Sequence, residues 1–208
     1  MEEKKKRVNL NFMELPRLYA ITDRKKYGED FLETLEKILQ SGVRMVQLRE
    51  KDLNDRELYK LAREVRKLTK KYGALFLINE RFDVALAVGA DGVHLPEHSF
   101  PPSLVKKINP NFIVGFSAHS LDSAKYAEVQ GADFITLSPI FKTTSHPQAE
   151  PLGLTALKEV SKVVKIPIYA LGGITWERIK ICYKNGAYGI AGITMFLEKV
   201  IKGEDENP

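Results

Sequence analysis

The sequence predicts a single (β/α)8 TIM barrel, and three observations lead to this fold class. Short β-rich runs alternate with amphipathic stretches along most of the 208-residue chain, a pattern typical of parallel α/β folds. The β-rich runs number eight, which favours a closed barrel. The junctions between helices and strands also repeat a short glycine motif. A doubly wound open sheet is the alternative.

The predicted strands are runs in which aliphatic and aromatic side chains dominate. They cover residues 18–22, 45–50, 75–79, 92–95, 112–117, 134–141, 167–173 and 188–194. The predicted helices have apolar residues at every third or fourth position, so that one face can pack against the barrel. They cover residues 31–42, 56–68, 81–89, 101–109, 121–131, 155–164 and 176–186.

An internal repeat supports closure of the barrel. The segments SGVRMVQL, GADGVHL, GADFITL and GAYGIAG each place a glycine and a small or β-branched residue before a predicted strand. Glycine commonly ends a helix, and a short loop then leads into the next strand. The repeat therefore predicts the same helix-to-strand connection at several places around the barrel.

Composition is that of one globular domain. The chain is 44% hydrophobic and 28% charged with a net charge of +5, enough apolar material for one core of this length. We expect one domain over residues 1–208, with residues 1–14 and 203–208 frayed. The basic run Lys4–Arg7 is interpreted as a solvated terminus rather than a nucleic-acid site.

The sequence also limits location and thiol chemistry. No run approaches the roughly 18 apolar residues of a membrane span, and the N-terminal segment lacks the apolar region of a signal peptide. We therefore expect a cytoplasmic protein without a membrane partner. The one cysteine, Cys182, excludes an internal disulfide and a cysteine-based zinc cluster.

The stretch HLPEH, residues 94–98, has the spacing of a zinc-hydrolase motif. That motif requires a helix, because only a helix brings its two histidines to one face. Here GVHL predicts a strand, and Pro96 disfavours a helix at this point. The stretch is better interpreted as a strand followed by a βα loop, which is where barrel active sites lie.

Polar residues follow most predicted strands, at the end of the barrel where catalysis is expected. Gln47, Arg49 and Lys51 alternate along their strand and so share one face. Two cations on one face suit a phosphate or pyrophosphate, although an ion pair with Glu50 or Asp52 is the structural alternative. Other such residues are Asn79, Glu80, Ser117, His119, Thr143, Ser145, His146, Gly172, Gly173 and Thr194.

Several of these segments resemble one family. VQLREK, LINERFDVALAVGADGVHL, GFSAHS, ADFITLSPIFKTTS, ALGGIT and GIAGIT, in this order, are similar to the thiamin phosphate synthase and thiazole tautomerase (TenI-type) superfamily. The resemblance covers roughly residues 16–200. It implies a TIM barrel and an enzyme of thiamin biosynthesis that acts on a phosphorylated thiazole.

The resemblance also implies site residues. Gln47, Arg49, Lys51, Asn79 and Ser117 match positions that bind the pyrimidine pyrophosphate in the synthase branch. The thiazole phosphate positions are matched by Gly173, Ile193 and Thr194, with Thr143 and Ser145 on the thiazole side. Glu80 matches a magnesium carboxylate, and is a metal ligand only if the chain is a synthase.

Three departures from the synthase pattern concern magnesium and pyrophosphate. Glu80 replaces an aspartate, Ser99 replaces the second metal-binding aspartate, and His146 replaces a lysine. The loop HLPEHSFPP looks like that of the tautomerase branch, which moves a proton without a metal or a second substrate. His119 matches the catalytic histidine of that branch, and His146 is a second candidate.

Three functions therefore stay open. A thiazole tautomerase, which aromatises thiazole carboxylate phosphate without a cofactor, is the first expectation. The alternative is a Mg²⁺-dependent thiamin-phosphate synthase, which couples hydroxymethylpyrimidine pyrophosphate to thiazole phosphate. The third is a phosphate-ligand-binding protein without turnover. In each case the expected partners are small phosphorylated molecules and further copies of the chain in a homo-oligomer, with no nucleic acid.

Overall fold

The computed structural model describes residues 14–143 and 147–202. Eight strands lie within this part: β1 Leu18–Ile21, β2 Met45–Leu48, β3 Leu75–Asn79, β4 Gly92–Leu95, β5 Ile113–Ala118, β6 Phe134–Leu137, β7 Ile168–Ala170 and β8 Gly189–Gly192. Each pairs in parallel with the next, and β8 pairs with β1, so the sheet is a closed barrel. The predicted TIM barrel is confirmed, and the open sheet is excluded.

Helices surround the barrel. They are α1 Arg24–Tyr27, α2 Phe31–Gln40, α3 Asp55–Lys71, α4 Phe82–Val88, α5 Pro102–Ile108, α6 Leu121–Val129, α7 Gly153–Val163, α8 Ile179–Lys184 and α9 Thr194–Lys202, with a 3-10 helix at Trp176–Arg178 before α8. Asn54 and Ser120 begin α3 and α6 with reciprocal capping hydrogen bonds, which satisfy amide groups that the first helical turn leaves unpaired.

The GAD repeat has a clear structural role. Asp91 accepts a hydrogen bond from the Phe76 amide of β3 at 2.8 Å and forms a two-point ion pair with Arg66. Asp133, which precedes β6, accepts a hydrogen bond from the Val114 amide of β5 at 2.7 Å and forms an ion pair with Lys106 at 2.6 Å. In both places, therefore, the aspartate connects the start of one strand to the preceding strand and to an outer helix.

The core has two parts. The larger lies between the helices and the barrel, while the interior of the barrel is filled by rings and aliphatic side chains that include Tyr19, Met45, Phe134 and Tyr169. The Tyr169 hydroxyl donates to the Pro16 carbonyl at 2.6 Å, so the segment before β1 contacts the barrel interior. Within the described ranges no helix has the length and apolarity needed to cross a membrane.

Several elements differ from the sequence prediction: β2, β7 and β8 are shorter than predicted, and α1 was not predicted. Two differences have a clear cause or consequence. The sixth strand was predicted to reach residue 141 but ends at Leu137, because Pro139 has no amide hydrogen to continue the ladder. Helix α9 begins at Thr194, where only the end of a strand was predicted. Its residues Met195, Phe196 and Leu197 are buried against the barrel. The expected fraying of residues 1–14 and 203–208 lies, except at Glu14, outside the described residues.

Candidate active site

A cavity of about 1190 Å³ opens at the carboxyl ends of the strands. Most of the residues predicted to follow the strands or to bind substrate line it: Gln47, Arg49, Lys51, Asn79, Ser117, His119, Thr143, Gly172, Gly173, Ile193 and Thr194. These come from six strands and the loops after them, because a parallel barrel collects all strand ends on one face. Ser145 and His146 lie outside the described residues.

Arg49 and Lys51 bring positive charge to one wall of the cavity. The neighbouring carboxylates have other partners: Glu50 accepts hydrogen bonds from the Thr22 hydroxyl and the Arg24 amide, and Asp52 pairs with the side chain of Arg24. Over residues 14–143 and 147–202, neither Arg49 nor Lys51 forms an ion pair. Both cations are therefore available for an anionic ligand, and the structural alternative does not hold.

A second part of the cavity wall is built from backbone. Gly173 has a φ of +62°, and a Cβ atom there would lie 2.3 Å from the Lys142 carbonyl oxygen. The amide of Phe141 donates to the Gly172 carbonyl at 3.0 Å, so the loops after β6 and β7 are joined. Ile193 and Thr194 complete this wall where α9 begins. Free amide groups at a helix start, beside a glycine turn, suit a phosphate group.

Beneath the cavity lies a buried polar chain. The Gln47 amide nitrogen donates to the Tyr19 hydroxyl at 2.9 Å, and that hydroxyl lies 3.3 Å from Nδ1 of His94. The other ring nitrogen of His94, Nε2, lies 3.0 Å from the Ser117 hydroxyl. Burial, together with the charge of Arg49, lowers the pKa of His94 to about 3. His94 is therefore a neutral residue of the barrel interior, and not one of two zinc ligands on a helix.

His119 is exposed at the cavity wall and is held by one nitrogen. Its Nδ1 lies 2.7 Å from the Ser138 carbonyl oxygen. A carbonyl only accepts, so Nδ1 carries the hydrogen. In the neutral imidazole the lone pair is then on Nε2, which is the nitrogen that can accept a proton.

Asn79 and Lys51 separate this cavity from a second one of about 710 Å³. Glu80 and Ser99 line only the second cavity, and Glu80 lies near the exposed His98, at 3.9 Å from its Nε2. The amide of Asn79 donates to Glu80 at 3.3 Å. The predicted metal carboxylate thus lies next to the main cavity, and among the described residues Asn79 and Lys51 border both spaces.

The oxygen-bearing side chains near Glu80 suit a magnesium ion only when substrate phosphates supply further ligands. In the parts of the chain that the structure describes, no three metal-ligating side chains form a group. Mg²⁺ nevertheless commonly binds through one or two carboxylates plus substrate phosphates and water. Glu80, with Asn79 beside it and Glu97 on the main cavity wall, supplies that minimal set.

Sequence reasoning missed three cations of this cavity, Lys26, Lys142 and Arg178. Lys26 lies 3.7 Å from the carboxylate of Asp23. The Arg178 guanidinium donates to the Gly173 carbonyl at 2.7 Å and lies over the Phe141 ring. Lys142 directly precedes the predicted Thr143, so its position in the same loop was the available signal. For Arg178 the signal was weaker, because it follows the GGIT turn by three residues.

A family comparison decides the identity of this barrel. Residues 18–196 match the model of the thiamine monophosphate synthase family, which spans all eight strands and every described site residue. The chain belongs to the thiamine monophosphate synthase family. The resemblance inferred from the motifs is thereby confirmed, and the chain is a thiamin-biosynthetic enzyme of this family.

Relatives within the family are similar over almost their whole length. A protein of Aquifex aeolicus named "Putative thiamine-phosphate synthase 2" is 84% identical over 186 residues, which are 89% of this chain and 100% of the relative. The thiamine-phosphate synthase of Pyrococcus horikoshii is 40% identical over 89% of this chain and 88% of its own. The solved thiamine phosphate pyrophosphorylase of Pyrococcus furiosus superposes with a TM-score of 0.79 at 37% identity, covering 90% of this chain and 96% of that one.

Proposed function

We propose that the chain is a thiamin-phosphate synthase, which couples hydroxymethylpyrimidine pyrophosphate to thiazole phosphate. The observation that supports this most is the two-sided cavity. Arg49 and Lys51, without carboxylate partners in the described chain, line the same cavity as the backbone wall at Gly173 and Thr194. One anion-binding wall would serve each phosphorylated substrate. The relatives' names support the same activity, so the alternative is better supported than the tautomerase that was expected first.

The residues would divide the work as follows. The backbone amides around Gly173 and Thr194 hold the phosphate of the thiazole, which directs its ring nitrogen toward the pyrimidine. Gln47 and Ser117 hold the pyrimidine ring in the polar floor of the cavity. As the bond between the exocyclic methylene carbon of the pyrimidine and a pyrophosphate oxygen breaks, the thiazole nitrogen forms the new bond to that methylene carbon, and pyrophosphate leaves. Arg49 and Lys51 stabilise the negative charge that the leaving pyrophosphate acquires.

Magnesium would be held by Glu80 together with pyrophosphate oxygens, with Asn79 beside it. When bound, it would neutralise part of the charge of the leaving group. Because Ser99 stands where the family's second metal carboxylate is expected, Mg²⁺ should bind more weakly than in a synthase with two aspartates. The chain's own cations, Arg49 and Lys51, would then carry more of this stabilisation.

The decisive experiment mixes both substrates with the purified protein and measures thiamin phosphate, with Mg²⁺ and with excess EDTA. We expect product that depends on Mg²⁺ and is lost in Arg49→Ala. Absence of thiamin phosphate over a range of Mg²⁺ concentrations would overturn the synthase proposal.

Substitution Ser99→Asp tests the metal side separately. It adds a carboxylate next to Glu80 in the second cavity, so it should lower the Mg²⁺ concentration that gives half-maximal activity. Asn111→Asp is the control, because it adds the same charge just before β5, at the opposite end of the barrel. Equal metal dependence in the two variants would contradict a role of this cavity in binding magnesium.

Thiazole tautomerase is the second candidate, and the geometry of His119 favours it. Its Nδ1 is held by the Ser138 carbonyl, which leaves Nε2 at the cavity wall to move a proton. Aromatisation of thiazole carboxylate phosphate in EDTA, lost in His119→Ala and retained in His98→Ala, would establish this activity. Equal rates in wild type and His119→Ala would remove His119 from the reaction.

A further inference from the structure

The polar chain beneath the cavity has one consistent arrangement of hydrogens. It joins Gln47, Tyr19, His94 and Ser117 across the barrel interior, and the first three are at most 2% exposed. Groups buried this deeply are normally hydrogen-bonded, and here Gln47, Tyr19 and His94 bond to one another.

The direction of the hydrogens follows from one end. The Gln47 amide nitrogen can only donate, so the Tyr19 oxygen accepts from it. Tyr19 then has one hydrogen to give, and His94 Nδ1 is the acceptor next to it. A neutral imidazole that accepts at Nδ1 carries its hydrogen on Nε2. That hydrogen is donated to the Ser117 oxygen at 3.0 Å.

Neighbouring groups agree with this direction. The Thr136 hydroxyl lies 3.4 Å from His94 Nε2, where it can accept a weaker share of the same hydrogen. The pKa of His94 is lowered by burial and by Arg49, which keeps the imidazole neutral. The faces of the ring pack against Tyr19 and Phe134, neither of which is charged.

Both ends of the chain meet the cavity. Ser117 receives a hydrogen from His94, so its own hydroxyl hydrogen is directed to the cavity, where Ser117 is a wall residue. At the other end, the amide nitrogen of Gln47 is engaged by Tyr19. Its carbonyl oxygen accepts no hydrogen bond from residues 14–143 or 147–202 and is left for a ligand.

We propose that Tyr19 and His94 are positioning residues that fix Ser117 as a hydrogen-bond donor and Gln47 as an acceptor toward the cavity. Such a donor and acceptor pair complements the edge of an aminopyrimidine, whose amino group donates and whose adjacent ring nitrogen accepts. This ligand class rests on the proposed synthase function. The arrangement of hydrogens rests only on the structure.

The tautomer of His94 can be measured directly. A variant in which His98, His119 and His146 are replaced by Gln leaves His94 as the one histidine of the chain. In the ¹⁵N-labelled protein, two-bond ¹H–¹⁵N correlation spectra should show a neutral ring with its hydrogen on Nε2, unchanged between pH 8 and pH 5. A hydrogen on Nδ1, or a charged ring at pH 6, would overturn the proposal.

The effect on ligand binding is tested with Tyr19→Phe, measured by calorimetry with hydroxymethylpyrimidine pyrophosphate. Its matched control is Tyr169→Phe, which also removes one hydroxyl from the barrel interior but one that bonds to Pro16. We expect about a tenfold weaker affinity in Tyr19→Phe and less than a twofold change in the control. Affinity for thiazole phosphate should stay unchanged in both.

A double substitution shows whether Tyr19 acts through Ser117 and Gln47. If it does, Tyr19→Phe should weaken pyrimidine binding much less in a protein that already carries Ser117→Ala. Equal losses in the two backgrounds, or equal losses in Tyr19→Phe and Tyr169→Phe, would overturn the positioning role. If the wild type binds no pyrimidine pyrophosphate, the proposed function fails, while the tautomer measurement still decides the arrangement of hydrogens.

Discussion

Gly173 allows a sharp test of the backbone wall, because Gly89 provides a matched control. Both glycines have a φ of +62°, but a Cβ atom at Gly89 would meet nothing within 4 Å. At Gly173 it would lie 2.3 Å from the Lys142 carbonyl oxygen and 2.9 Å from Cβ of Phe141. The two Gly→Ala variants therefore share the conformational cost and differ in the clash.

The magnitudes follow from these distances. A left-handed backbone costs an alanine about 1–2 kcal/mol, so both variants should lose at least this much stability in urea unfolding. Only Gly173→Ala must also displace the loop after β6 or the loop after β7, and a misplacement of ~1 Å can cost ~10²-fold in activity. We expect calorimetry to show at least a tenfold loss of affinity for thiazole phosphate in Gly173→Ala, and none in Gly89→Ala.

Two outcomes would refute this reasoning. If Gly173→Ala binds thiazole phosphate within twofold of the wild type, the phosphate does not lie against this turn. If Gly89→Ala loses as much affinity as Gly173→Ala, general destabilisation and not the local clash is responsible.

Three further predictions concern the repeat, the cationic wall and the buried histidine. Asp133→Ala leaves a strand amide without its acceptor, so urea unfolding should show a loss of about 1–3 kcal/mol, with a smaller loss in Asp133→Asn. Arg49→Ala should weaken binding of inorganic pyrophosphate at least tenfold by calorimetry, whereas Arg56→Ala on α3 should not. The pKa of His94 is about 3 in the folded protein, whereas histidine in the unfolded chain takes up a proton near pH 6.5. The free energy of unfolding should therefore fall by about 2 kcal/mol as the pH is lowered from 7 to 5.

Each of these has a contrary result. Equal stability of Asp133→Ala and wild type would mean that the aspartate does not hold the strands together. Equal pyrophosphate affinity in the two arginine variants would place the anion elsewhere. For His94, unfolding is compared in His94→Gln, whose stability should fall less over the same pH range; parallel curves would show that His94 is not neutral in the folded protein.

The barrel could be predicted because its signals are local. Eight apolar runs and seven amphipathic stretches are visible in the sequence, and the alternation in β2 placed Gln47, Arg49 and Lys51 on one face. All three line the cavity. The sequence did not predict where β8 ends and α9 begins, because apolar residues continue from Ile190 to Phe196 on both sides of Thr194.

Long-range pairing could not be predicted. Glu50 accepts hydrogen bonds from Thr22 and Arg24 because β1 and β2 are neighbours in the barrel, and it therefore does not form an ion pair with Arg49. The Tyr19 to His94 contact joins residues 75 positions apart. It depends on the closure of the barrel, which no local pattern reports.

The position of Ser99 helps to choose between the synthase and the tautomerase reactions. A tautomerase with one substrate has no evident use for two cations in addition to the backbone wall at Gly173 and Thr194, yet Arg49 and Lys51 line the cavity and their neighbouring carboxylates are engaged elsewhere. The changes from the synthase pattern at Glu80 and Ser99 lie in the second cavity, beyond Lys51 and Asn79. In the proposed synthase, a change there would weaken magnesium binding and leave Arg49 and Lys51 in place. The expected enzyme is therefore a synthase that binds pyrophosphate chiefly through its own cations and needs a higher Mg²⁺ concentration for half-maximal activity.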